Sequence, residues 1–187
     1  MMAVMAVLAL TASAQVEQGF RMGARVNAGI SNVAGEGDKA SFGYGLGWIA
    51  EYNFSPNFYV QSGLGLENIS HKEEGVGGTL NAFYLQLPIH AGYRFSLGET
   101  SALFVQAGPT LGYGLFGSDI EFSDGDKINY FDGLKRFDFA LGGRIGVELK
   151  KFQISVGGNY GVLDVLKESF DESYHNYNVN LAVAYMF

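Results

Sequence analysis

Arg21, Arg25, Arg94 and Arg144, and Glu51, Glu67, Asp138 and Glu148, all fall on the glycine-rich parity of stretches whose other parity is large and apolar. Cations and carboxylates matched in number on one such face are the parts of an ion-pair network. His90 shares the face and reads as a hydrogen-bond partner there, since one histidine makes no metal cluster. Ser70-His71 and Ser173-Tyr174-His175 carry a nucleophile and a base. Acyl transfer would need Ser and His in hydrogen-bond reach with a third group orienting the base, and the sequence pairs none of them. Asp119, Glu121, Asp124, Asp126 and Asp132 could hold Ca²⁺, but the spacing is not that of an EF-hand. A solvated acidic loop is the expectation.

The elements that must position these residues alternate with a period of two, which predicts strands with unlike faces. The last stretch shows it best: Tyr177, Val179, Leu181, Val183, Tyr185 and Phe187 oppose Asn178, Asn180, Ala182, Ala184 and Met186. The same pattern predicts strands over Gly19–Ile30, Ser41–Phe54, Phe58–Asn68, Phe83–Phe95, Ala102–Leu115, Leu134–Leu149 and Phe152–Val162. In the second of these, Phe42, Tyr44, Leu46, Trp48, Tyr52 and Phe54 stand against Gly43, Gly45 and Gly47. Pro88 cannot donate to a ladder, so a bulge or local break is expected there.

The chain has 187 residues, 27 of them glycine, 3 proline and none cysteine, with a net charge of −7. No disulfide, thiolate nucleophile or cysteine-based metal site can exist, and no cofactor is called for. The acidic balance argues against a nucleic-acid partner, which wants a basic face. No apolar run reaches the ~18 residues of a spanning helix. Met1 to Ala14 reads as a signal peptide, with Ala12-Ser13-Ala14 as its cleavage site and residues 15–187 as the mature domain. It lacks a Lys or Arg ahead of its apolar core, so the start is misplaced or the signal is atypical.

Eight strands of unlike faces predict an all-β fold, an eight-stranded antiparallel up-and-down transmembrane β-barrel. Apolar side chains look out at lipid, with aromatics at both interfaces, and the glycine parity looks into a narrow lumen. Connections alternate long and short, placing short turns and both termini in the periplasm and long loops outside the cell. The eight charges then become a luminal network, with Arg21, Glu51, Arg94 and Glu148 toward the periplasmic end and Glu67 and Asp138 toward the other. Such a network reads as a plug that fills the barrel and fixes its register; a gated polar path is the other reading.

Tyr84-Leu85-Gln86-Leu87-Pro88-Ile89, then Gly92-Tyr93-Arg94-Phe95, resemble the fourth-strand pattern of the PorT-like outer-membrane β-barrel proteins. Arg136-Phe137-Asp138-Phe139 with Gly142 and Gly146 resembles the sixth. The resemblance implies an eight-stranded, OmpA-type barrel in the outer membrane of a Gram-negative bacterium. It implies no single activity, although the member that gives the family its name is linked to protein secretion.

The expected role is therefore non-enzymatic: structural, adhesive or accessory to export, acting through the outer loops. The expected partners are outer-membrane lipid and lipopolysaccharide, envelope proteins, and the barrel-assembly machinery, which would read the C-terminal strand ending at Phe187. Two alternatives stand. A soluble lipocalin-like ligand-binding barrel would turn the aromatic parity inward. A rim-sited lipid-modifying enzyme would use His71 or His175.

Overall fold

A computed structural model describes residues 18–34, 39–72, 80–121, 127–133, 135–163 and 175–187; the signal peptide expected over Met1 to Ala14 lies outside them. The elements in chain order are β1 (Gly19–Ala34), β2 (Lys39–Asn53), β3 (Phe58–Lys72), β4 (Leu80–Ser96), β5 (Ser101–Gly117), β6 (Asp119–Glu121), β7 (Lys127–Asn129), α1 (Tyr130–Gly133), β8 (Phe137–Leu149), β9 (Phe152–Gly161) and β10 (His175–Met186). Eight strands close a barrel in the order β1-β10-β9-β8-β5-β4-β3-β2, every neighbouring pair antiparallel, while β6 and β7 form a separate hairpin.

Closure is staggered. Following paired residues around the wall from Gly29 leads through Asn180, Gly157, Arg144, Gln106, Gly92, Tyr59 and Asn53, and returns to β1 at Gly19. The strands therefore tilt against the barrel axis, and residues at one height are not those in one register.

The alternation decides which face looks where. Leu46 is 60% exposed, Trp48 56% and Leu181 56%, and Val26, Leu64, Leu141, Ile145 and Val156 join them in an apolar belt around the outside. Aromatic contacts bound the belt at both ends. Tyr52–Phe54, Tyr93–Phe95 and Phe152–Tyr185 lie near the short turns, and Phe42–Tyr44 and Phe83–Phe116 lie near the other end. An apolar surface that encircles a protein between two aromatic girdles suits a bilayer and no aqueous setting. The soluble lipocalin-like alternative fails here, because it needs Trp48 and Leu181 inside and Arg25 and Arg144 outside.

Large luminal side chains lie across from glycines. Tyr59 pairs with Gly92 and Phe104 with Gly146, and a methyl group on either glycine would run into the partner's ring. Glu67 pairs in the same way with Gly45, and Arg144 with Gly157. The glycine-rich parity thus supplies the room that the few large inward residues fill.

Several strands run past the ends expected from their apolar pattern. β1 continues to Ala34, β3 to Lys72, and β4 begins at Leu80. Backbone pairing does not stop where the lipid-facing residues stop. As a result only residues 35–38 separate β1 from β2, the same length as the turns at residues 54–57 and 97–100 at the opposite end. The stretch from Asp119 to Asp132, expected as a solvated acidic loop, holds β6, β7 and most of α1. At Pro88 the β3–β4 ladder skips from Ser62↔Ile89 to Gly65↔Gln86 without losing register, a local break rather than a bulge.

Leu46→Arg or Leu181→Arg, in the middle of the belt, should each destabilise the barrel by about 2–4 kcal/mol, and Phe20→Arg near the rim by about 1 or less. Denaturant unfolding in phospholipid vesicles measures both.

Candidate functional site

All eight charged residues singled out in the sequence sit on the luminal face. Glu51, Glu67, Arg94, Asp138 and Glu148 are buried, and Arg21, Arg25 and Arg144 are half-buried. They do not form one network. Arg21, Glu51, Arg94 and Glu148 meet in a closed quartet next to the short turns. Arg21 reaches Glu51 through Nε at 2.5 Å and clamps both oxygens of Glu148 at 2.7 and 2.8 Å. Arg94 donates to Glu51 at 2.5 Å, to Glu148 at 3.0 Å and to Asn53 at 2.7 Å. Each guanidinium thus bridges both carboxylates, the pairing geometry that best offsets desolvation of buried charge.

The turn before β3 helps to hold Arg94. Asn57 accepts from the Arg94 backbone N–H at 2.7 Å and returns its side-chain amide to the Arg94 carbonyl at 2.8 Å. The Arg94 guanidinium also stacks 3.9 Å over the Tyr59 ring. Tyr59, Phe104, Ile49 and Met186 are buried on the same luminal face. Two ion-paired arginines among these side chains leave this end of the lumen filled.

A chain of uncharged side chains climbs from the quartet. Gln61 donates to Glu51 at 3.4 Å, Gln106 donates to Gln61 at 3.0 Å, and Tyr59 donates to Gln106 at 2.9 Å. His90, expected as a hydrogen-bond partner on this face, lies between Gln106 at 3.4 Å and Thr110 at 3.3 Å. An amide nitrogen only donates, so Nδ1 of His90 accepts and Nε2–H faces Thr110, whose hydroxyl passes on to Asn159 at 3.1 Å.

The other four charges stand apart. Arg25 approaches Glu67 only to 3.9 Å, and both Glu67 oxygens accept from Asn27 at 2.9 and 3.0 Å. Arg144 donates to Asn180 at 2.5 Å and to Ser155 at 3.2 Å, and no carboxylate among the described residues lies within ion-pair distance of it. Asp138 accepts from Asn176 at 3.0 Å. One network was expected, with members toward both ends; the structure joins the four expected next to the short turns and leaves the other four apart.

An apolar plug at the far end was not foreseen. Ile69, Leu80, Ala82 and Tyr84 line it from β3 and β4, and Tyr130 and Phe131 of α1 close over them. Phe131 meets Tyr84 edge-on at 5.7 Å and lies over Gly114, and Arg136 covers the ring at 4.6 Å. The signal was present in the sequence as two adjacent aromatics inside an acidic, polar stretch.

The rim candidates are not brought together among the described residues. The Ser70 hydroxyl donates to the Phe42 carbonyl, and its backbone N–H donates to Ser31 at 2.8 Å. His175 lies against the Tyr160 ring at 5.6 Å. The His71 side chain, Ser173 and Tyr174 lie outside the described residues, as do Asp124 and Asp126 and the side chains of Asp119, Glu121 and Asp132.

Glu51→Gln or Arg94→Met should each cost about 3–5 kcal/mol, because each strands a buried opposite charge. The neutral double variant should cost less than the sum of the singles by about 1 kcal/mol or more. Equilibrium unfolding of the three variants checks this.

Comparison with known proteins agrees with this architecture. The family model described as "Outer membrane protein beta-barrel domain" matches residues 2–187. Among solved structures, Neisserial surface protein A is similar at TM-score 0.55 and 12% identity, over 91% of this chain and 100% of that one. The attachment invasion locus protein Ail of Yersinia pestis is similar at TM-score 0.49 and 16% identity, over 91% and 100%. OprG of Pseudomonas aeruginosa is similar at TM-score 0.45 and 12% identity, over 91% and 98%. At 12% identity the likeness to Neisserial surface protein A shows the fold alone, and no curated protein matches the chain. The chain belongs to the outer membrane protein beta-barrel domain family, and the lipid that its apolar belt faces is that of the bacterial outer membrane.

Proposed function

We propose that the protein is a sealed, non-enzymatic barrel whose work is done by the connections at the end away from the short turns. The observation that carries this reading is the quartet of Arg21, Glu51, Arg94 and Glu148, buried or half-buried among Tyr59, Phe104 and Met186, in a barrel whose eight strands leave an interior that side chains fill. Moving an ion through it would mean breaking buried, bridged ion pairs. A barrel that neither conducts nor carries an assembled Ser–His pair among its described residues offers a rigid anchor. The roles that fit are structural support, adhesion, or assistance to export, the last being the direction in which the PorT-like resemblance leans.

In this reading the short turns and both termini lie in the periplasm, and the stretches between β3 and β4, β5 and β8, and β9 and β10 lie outside the cell. Outer-membrane lipid and lipopolysaccharide surround the belt, and envelope proteins are the partners of the outer stretches. The strand β10, whose neighbour Phe187 rests against Trp48 at 5.7 Å, is the segment that the barrel-assembly machinery reads.

The native chain has no cysteine, so topology can be tested with single introduced thiols. Asp124→Cys should react with a membrane-impermeant maleimide on intact cells, and Lys150→Cys only after the outer membrane is permeabilised. The reverse pattern would overturn the orientation. The purified protein should show no stepwise current in planar bilayers; steady single-channel conductance would overturn the sealed reading.

A further inference from the structure

Above the quartet the lumen changes character. Arg25 follows Arg21 along β1, and Arg144 precedes Glu148 along antiparallel β8, so both stand on the loop side of the quartet. Their cross-strand neighbours are glycines: Gly47 faces Arg25 and Gly157 faces Arg144. Arg25, Arg144, Asn159 and Asn178 face inward but are half-buried, whereas the quartet carboxylates are buried. Water therefore reaches these four inward side chains.

Among the described residues the charges around these side chains do not balance. Arg25 and Arg144 lie within electrostatic reach of one another and of one carboxylate, Glu67. His90 also lies within reach of both arginines, with its two ring nitrogens engaged by Gln106 and Thr110. Glu67 has both oxygens committed to Asn27 and comes no nearer to Arg25 than 3.9 Å. Arg25 makes no hydrogen bond among the described residues, although its side chain is only 13% exposed. A guanidinium carries five donors in a planar fork suited to two oxygens of one anion. Arg144 spends one bond on Asn180 and one on Ser155, and its remaining donors have no partner among the described residues.

We propose that the glycine-lined middle of the lumen is a binding site for one small oxyanion, a carboxylate or a phosphate-type group, held by Arg25 with Arg144 as second donor. The quartet is the floor of the site, so the anion enters from the loop end. Asn27 is a positioning residue: by holding Glu67 it keeps that carboxylate from satisfying Arg25. The site makes no demand on which role the outer connections play.

Isothermal titration calorimetry tests this on the full chain folded in zwitterionic detergent at constant ionic strength, with inorganic phosphate and sodium formate as separate probes. Saturable binding near one anion per barrel is expected. Arg25→Met and Arg144→Met should weaken it at least about tenfold, and Glu67→Gln should tighten it by roughly tenfold. Arg25→Lys keeps the charge but loses the fork, and should fall between wild type and Arg25→Met. Binding of phosphate alone assigns a tetrahedral ligand, and binding of both probes admits carboxylates. If Arg25→Met fails to fold, judged by heat-modifiable migration, Arg25→Lys and Glu67→Gln decide the matter. Absence of saturable binding by either probe, or binding indifferent to those two changes, overturns the proposal.

Discussion

The structure depends on one constraint: a barrel of eight strands encloses a space that side chains must fill, and any charge placed there must find its opposite. The wall meets the volume half of this demand by setting glycine across from several large luminal groups, as in Tyr59 with Gly92 and Phe104 with Gly146. It meets the charge half in the quartet, where each arginine bridges the same two carboxylates. Outside, lipid imposes the converse demand, and the opposite parity of each strand answers it. A shift of register by one residue would expose Glu51 to lipid and bring Trp48 into the lumen, so the two environments together fix the register.

The faces were legible because parity is a local property. Every charged residue assigned inward from alternation does face inward, and the apolar parity faces out. Strand direction also gave the end of the barrel for six of the charges, and Arg21, Glu51, Arg94 and Glu148 do meet at one end; which side chains touch was not legible. Arg25 and Asp138 share the luminal face but not a level, since the strands return to β1 displaced from Gly29 to Gly19. Only that stagger shows that Arg21 meets Glu148 across the lumen while Arg144 meets Asn180. Strand ends were blurred for a related reason. Pairing of Ser70 with Asn81 and Ile69 with Ala82 continues past the last lipid-facing residues, where no apolar alternation marks it. The plug of Tyr130 and Phe131 was missed because a local pattern cannot show that a short helix folds back over β3 and β4.

The two ends of the lumen thus differ: one is closed by ion pairs, and the other is covered on one side by apolar side chains. Next to the short turns, bridged ion pairs resist separation because each partner removed leaves an uncompensated charge. At the other end, aromatic and aliphatic side chains exclude water from the β3–β4 side. Between them lies the glycine-lined middle with its surplus of donors. A scaffold stiffened in this way holds the outer connections at fixed spacing, a fit setting for residues that act at the cell surface.

The central claim is that the quartet exists as bridged pairs in the membrane. Solid-state NMR dipolar recoupling between the Arg94 guanidinium nitrogens and the carboxylate carbons of Glu51 and Glu148, in lipid bilayers, measures it directly. The account predicts both separations within about 4 Å, as bridged pairs require. Separations beyond about 6 Å for both carboxylates would contradict it, since no charge-assisted hydrogen bond spans that distance.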